Sequence, residues 1–146
     1  MKPRYSKWIR VVLLVLMPVL LPLVAAGQGL LPSADGQERL YNVRIDMEKG
    51  GMTGVCMMLR DSTGLHGSVV NEFGVGLMSF TYEPERDKVR LHSVFGKMDK
   101  WYIRRTLRRD LRRLLHAMGD GEATYTNDRR GIRYSFIPIT EDETSR

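Results

Sequence analysis

The sequence predicts an α+β domain, a strongly curved antiparallel sheet of about seven strands forming an open half-barrel, packed on one amphipathic helix. Three observations carry this. Residues 99–119, DKWYIRRTLRRDLRRLLHAMG, repeat with the period of an α-helix, whereas most segments around them alternate with the period of a strand. Turn signals separate those segments at roughly ten-residue spacing, which favours consecutive antiparallel pairing with the helix inserted before a final hairpin.

In the helix, Ile103, Leu107, Leu111, Leu114, Leu115 and Met118 occupy one arc of about 120°. Arg105, Arg108, Arg109, Arg112 and Arg113 lie on the other face, Arg104 intrudes on the apolar arc, and Asp110 is the only carboxylate between Trp101 and Ala117. Asp99 is suited to the N-cap, where its carboxylate can accept an orphan N–H, and Gly119 to the left-handed position that ends a helix. Trp101 and Tyr102 read first as core-packing residues, and second as interface aromatics or the lip of a pocket.

Residues 28–37 lack periodicity and predict a flexible lead. From Leu40, Tyr41, Val43, Ile45 and Met47 alternate with polar residues as on a half-buried strand, and Glu48-Lys49-Gly50-Gly51 turns the chain. Met52 to Arg60 is apolar on both faces, as expected of a central or doubly covered strand. Leu65 to Val70, Val75 to Tyr82 and Lys88 to Phe95 follow, with Gly74 and Gly76 marking a bend, a bulge or a close approach. Asn127-Asp128-Arg129-Arg130-Gly131 then joins the last two strands, Ala123 to Thr126 and Ile132 to Ile137, before a polar tail expected to be disordered from Thr140. The single folded domain is thus expected over residues 40–139.

The first 27 residues read as a secretory signal peptide: Lys2, Arg4, Lys7 and Arg10, then an uncharged run from Val11 to Val24, then Ala25-Ala26-Gly27. That run holds Pro18 and Pro22 and is short for a bilayer span of about 20 residues, so cleavage and a soluble exported product, periplasmic or in the outer envelope, are expected. Removing those residues leaves 19 Lys and Arg against 17 Asp and Glu. The whole-chain net charge of +6 therefore does not point to nucleic acid, and what stays basic is local, with eight Lys or Arg between residues 97 and 113. Cys56 is the only cysteine, which rules out an intramolecular disulfide and leaves stability to a packed core. It is expected to be a buried, inert thiol.

No residue set announces catalysis, a metal or a cofactor. His66, His92 and His116 are scattered, without HExxH or a cysteine partner, and read as surface histidines. Gly74-Val75-Gly76 opens a strand rather than joining a strand to a helix, so it is no phosphate loop, and Glu83 and Glu85 read as a solvated turn around Pro84. The five arginines of the helix face, Arg105, Arg108, Arg109, Arg112 and Arg113, could meet phosphates of lipid headgroups, lipopolysaccharide or nucleic acid, an acidic protein, or only water, with nucleic acid disfavoured by export. Met47, Met52, Met57, Met58, Met78, Met98 and Met118 suit an adaptable apolar interior or a lipid cavity equally.

The order of elements from Gly54 to Met118 resembles the LolA/LolB-type envelope carriers of lipoprotein localisation, especially the LolB side. The likeness is carried by Gly67-Ser68-Val69-Val70-Asn71-Glu72-Phe73-Gly74, the Leu77 to Tyr82 strand, Val89-Arg90-Leu91 and the Leu107 to Leu115 helix. The resemblance implies a curved antiparallel sheet around a helix, with an apolar cavity for acyl chains, for which Met57, Leu77, Phe80, Tyr82, Leu107, Leu111 and Leu114 are the candidates. The expectation is a non-enzymatic envelope protein binding a lipid, lipoprotein or other amphipathic ligand between sheet and helix. The alternative is a small interaction module with a filled core whose arginine face docks an acidic protein.

Overall fold

The computed structural model describes residues 29–140. The signal-peptide reading and the tail after Thr140 lie outside the described residues. Strands β1 (Glu38–Met47), β2 (Gly50–Asp61), β3 (Gly64–Val70), β4 (Gly76–Glu83) and β5 (Lys88–Val94) follow one another, then helix α1 (Trp101–Gly119), β6 (Thr124–Asn127) and β7 (Ile132–Pro138). They form one curled antiparallel sheet, a half-barrel in the order β5-β4-β3-β2-β1-β7-β6, with α1 in its concave face. Pairing is consecutive from β1 to β5. α1 then carries the chain from the β5 edge to the opposite edge, so the final hairpin joins the sheet by pairing β7 with β1.

The concave face is set by strand alternation. Tyr41, Val43 and Ile45 of β1, Cys56 and Met58 of β2, and Tyr134 and Phe136 of β7 are buried against Leu107, Leu111, Leu114, Leu115 and Met118 of α1. At about 1.5–3 kcal/mol for each large apolar side chain removed from water, the helix stripe is a major stabilising contribution. β2 occupies the centre of the sheet, as its double-sided apolar pattern predicts, but it is covered on one side only. Val55 and Met57 point outward and stay exposed. Two register shifts curl the sheet: Leu77 is skipped between the Val69–Met78 and Val70–Gly76 pairs, and His92 between the Ser79–Ser93 and Phe80–Leu91 pairs. The first is the irregularity that Gly76 foreshadows. Gly67 lies directly under the Phe80 ring, where any Cβ would strike buried aromatic carbons, so this position needs glycine.

Three local expectations are corrected. Lys100, not Asp99, is the N-cap and makes no side-chain cap bond, because the Asp99 carboxylate is engaged by the Arg104 guanidinium instead. The helix closes two residues later than expected: Glu122 N–H donates to Ala117 O at 2.8 Å and Gly121 N–H to Met118 O at 3.1 Å, with Gly121 at φ 90°. The lead is pinned from Gly29 rather than loose. Leu30 N–H bonds Met118 O at 2.8 Å, Tyr41 donates its hydroxyl to Leu30 O at 2.6 Å, and Gly36 N–H bonds Arg60 O at 2.7 Å. Burial pushes the Tyr41 hydroxyl pKa up to about 12, which keeps that donor protonated.

Candidate functional site: a basic cleft joined to an apolar slot

The first two turns of α1 and the β6–β7 turn enclose a cleft of about 720 Å³. It is lined by Trp101, Tyr102, Arg105, Thr106, Arg109, Arg129 and Arg130. Arg105 and Arg109 stand one helical turn apart and project together. Arg129 and Arg130 face them from the turn. No carboxylate lines the cleft, and no ion pair among the described residues includes any of these four arginines. The helix start adds the same sign of potential, having no acidic residue in its first turn.

Beside the cleft is an apolar slot of about 150 Å³ lined by Met47, Met52, Met98, Ile103, Leu107 and Ile132, with Ile45 and Tyr134 at its base. Tyr102, Thr106 and Arg130 line both spaces, so the slot and the cleft adjoin. Thr106 turns its hydroxyl to Tyr102 O at 3.0 Å, which leaves its methyl for the apolar side.

A buried network holds the two walls together. Asp110, one turn beyond Thr106, is fully buried and accepts hydrogen bonds from Asn127 Nδ2 at 2.9 and 3.0 Å and from the Tyr134 hydroxyl at 2.7 Å. Asn127 Oδ1 in turn shares the Arg130 N–H with the Asn127 main-chain carbonyl, each at 3.2 Å, across the turn that presents Arg129 and Arg130. Burial, then the neighbouring carboxylate, raises the Tyr134 pKa and keeps its hydroxyl a donor.

The arginines of the helix face thus divide. Arg105 and Arg109 enter the cleft, Arg108 faces solvent, Arg112 lies 3.9 Å from Asp87, and Arg113 donates to the Tyr125 hydroxyl at 3.1 Å. Trp101 and Tyr102 are not core residues: at 73% and 44% exposure they form the lip of the cleft, because the apolar stripe begins only at Ile103. Of the cavity candidates, Leu107 alone lines the slot. Phe80, Tyr82, Leu111 and Leu114 are packed into a filled core, Leu77 is half-buried against it, and Met57 is on the outer face because Cys56 and Met58 turn inward. Arg129, Arg130 and Asp110 are the contributors that sequence reasoning missed.

Elsewhere, Cys56 is completely buried and its thiol pKa is pushed up to about 12 by burial, an inert group as expected. On the outer face His66 bridges Asp61 and Thr81, each at 3.0 Å, and His92 reaches the same Thr81 hydroxyl at 2.7 Å. Hydrogen bonds from Thr63 and His66 hold Asp61 well below the usual carboxylate range, at about 2. Because the folded value is the lower one, this contact stabilises the fold above the unfolded pKa and is lost as pH falls from about 4 toward about 2. Asp61→Asn is therefore expected to flatten the acid side of the melting-temperature profile in that window, and a profile parallel to wild type would contradict the contact. Glu83 pairs with Arg90 at 3.0 Å and with Arg86 at 3.7 Å. Among the described residues no group of three His, Cys, Asp or Glu is arranged to hold a metal ion.

Fold and site together define an α+β half-barrel with an open basic cleft and an adjoining apolar slot at the start of its helix. No family model matches this chain, no curated protein matches it, and no solved structure matches it. No helix among the described residues is long and apolar enough to cross a membrane.

Proposed function

We propose that this is a non-enzymatic, exported binding protein for an anionic amphiphile, whose charged head lies in the arginine cleft while one end of its apolar part enters the adjoining slot. The observation that carries this is the adjacency of the two spaces, which share Tyr102, Thr106 and Arg130 as lining residues. Guanidinium groups converging from two elements suit the planar, multidentate recognition of phosphate or carboxylate oxygens. At about 150 Å³ the slot is smaller than the roughly 300–1,000 Å³ of pockets that enclose a whole ligand, so it takes the end of a chain and leaves the rest to the open cleft. The resemblance to lipoprotein-localisation carriers agrees with an acyl chain as the apolar part, and the basic and apolar leader of residues 1–27 supports an envelope location. The ligand would lie at the mouth of the sheet–helix interface, since the interface beneath Leu111 and Leu114 is filled.

Titration with lysophosphatidylglycerol below its micellar concentration tests the reading, with lysophosphatidylcholine as the neutral-head control and, as readout, the fluorescence of Trp101, the only indole of the chain from residue 28 onward. Saturable binding of the anionic lipid is expected, weakened by at least about tenfold in Arg105→Ala/Arg109→Ala. Equal response to both headgroups, or none to either, would contradict it.

A further inference from the structure

Antiparallel pairing fixes which turns share an end of the half-barrel. The β1–β2 turn, the β3–β4 turn, residues 95–100, the start of α1 and the β6–β7 turn lie at one end. The β2–β3 and β4–β5 turns and the end of α1 lie at the other. The two ends differ in chemistry. The second carries Asp61, Glu83, Glu85, Asp87, Asp120 and Glu122 against Arg60, Arg86 and Lys88, with Glu83 paired to Arg86 and Arg90 and Asp87 to His116, so acid is in excess there. The first carries Lys49, Lys97, Lys100 and the arginine cleft against Glu48, Glu72 and Asp128, while Asp99 is taken up by Arg104.

The basic end also holds the most exposed aromatic side chains among the described residues. Trp101 is 73% exposed and Phe95 44%, and Phe73, on the neighbouring turn, is 81% exposed. The segment joining Phe95 to Trp101 is set by its own backbone, with a single 3₁₀ turn over Gly96–Met98, Met98 N–H bonded to Phe95 O at 2.8 Å and Lys100 N–H to Met98 O at 2.9 Å. Lys97 and Lys100 are exposed between the two rings.

We propose that this end of the molecule seats on the surface of an anionic phospholipid bilayer, with Phe95 and Trp101 in the headgroup boundary and Lys97 and Lys100 against lipid phosphates. Aromatic rings with flanking cations favour that boundary, where an apolar body and a charged tip are both accommodated. Charge complementarity chooses the partner and the orientation: the basic end faces the negative leaflet, and the acidic end is held away from it. The mouth of the cleft then opens toward the lipid. This last point rests on the amphiphile reading; the docking shares Trp101 with the cleft but is tested apart from it through Phe95, Lys97 and Lys100, which line neither the cleft nor the slot.

The test compares the chain from residue 28 onward, which holds every described residue and lacks the basic, apolar leader, with its Phe95→Ser/Lys97→Glu/Lys100→Glu variant; Trp101 is then the only indole. Vesicles of phosphatidylglycerol mixed with phosphatidylcholine are set beside phosphatidylcholine alone. Wild type is expected to co-sediment with the anionic vesicles, to be released as salt rises, and to show Trp101 quenching by brominated phosphatidylglycerol. The triple variant should partition at least about tenfold more weakly while binding monomeric lysophosphatidylglycerol as wild type does. Equal partition of wild type onto neutral and anionic vesicles, or a triple variant that partitions like wild type, overturns the docking and leaves the cleft reading standing. Vesicle binding that depends on Phe95, Lys97 and Lys100 in a protein that binds no lysolipid supports the docking and overturns the cleft reading.

Discussion

Leu111→Asp is expected to abolish the folded state. Leu111 is completely buried at the centre of the helix stripe, flanked by Leu107, Leu114 and Leu115. Deleting the leucine side chain alone costs about 2–5 kcal/mol. A carboxylate set there without a partner adds several kcal/mol of desolvation, which brings the total to the scale of the roughly 5–15 kcal/mol that stabilises a whole domain. The measurement is a circular-dichroism melt, in which the cooperative transition should disappear. Arg108→Asp, on the exposed side of the same helix, should shift stability by no more than about 0.5 kcal/mol and so separates loss of docking from a change in charge. A wild-type melt for Leu111→Asp would mean that α1 does not dock in the sheet.

Asp110→Ala is the second large effect. Truncation strands the Asn127 amide and the Tyr134 hydroxyl in the interior, at about 1–3 kcal/mol for each buried donor left without an acceptor, so a loss of about 3 kcal/mol is expected. Because Asn127 also holds the Arg130 N–H, the same change should loosen the β6–β7 turn and weaken lysophosphatidylglycerol binding, although Asp110 does not line the cleft. Urea unfolding of Asp110→Ala, Asn127→Ala and the double variant checks the first part, and additive effects would show that the two side chains do not act together. Unchanged affinity in a folded Asp110→Ala protein would show that the turn is held by other contacts.

The elements that could be read from the sequence are those whose pattern is local. Tyr41, Val43 and Ile45 announce their shared face by alternation, and the Leu107 to Met118 stripe announces a helix by its period, which was enough for the half-barrel and the docked face. Which face a strand buries is not local where both are apolar. Met57 and Met58 are equivalent by composition, and only the pairing of β2 with its neighbours turns Met58 inward. The crossover that brings β7 beside β1 was likewise outside the reach of turn spacing. The site was half visible. Arg105 and Arg109 could be found on the helix face, but Arg129 and Arg130 read only as turn residues, since their convergence depends on a crossover spanning the sheet. Asp110 stands out in the sequence as the odd carboxylate among arginines. Its burial follows from Asn127 and Tyr134, 17 and 24 residues further along the chain.

Chemical-shift mapping of the backbone amides during a lysophosphatidylglycerol titration tests the central claim most directly. Binding in the cleft and slot predicts saturable shifts at residues 101–109 and 129–132 and at Met47, Met52 and Met98, with the outer face of the sheet silent. Shifts confined to that outer face, around Leu40, Val55, Met57 and Ile137, or an unchanged spectrum at saturating lipid, would contradict the account.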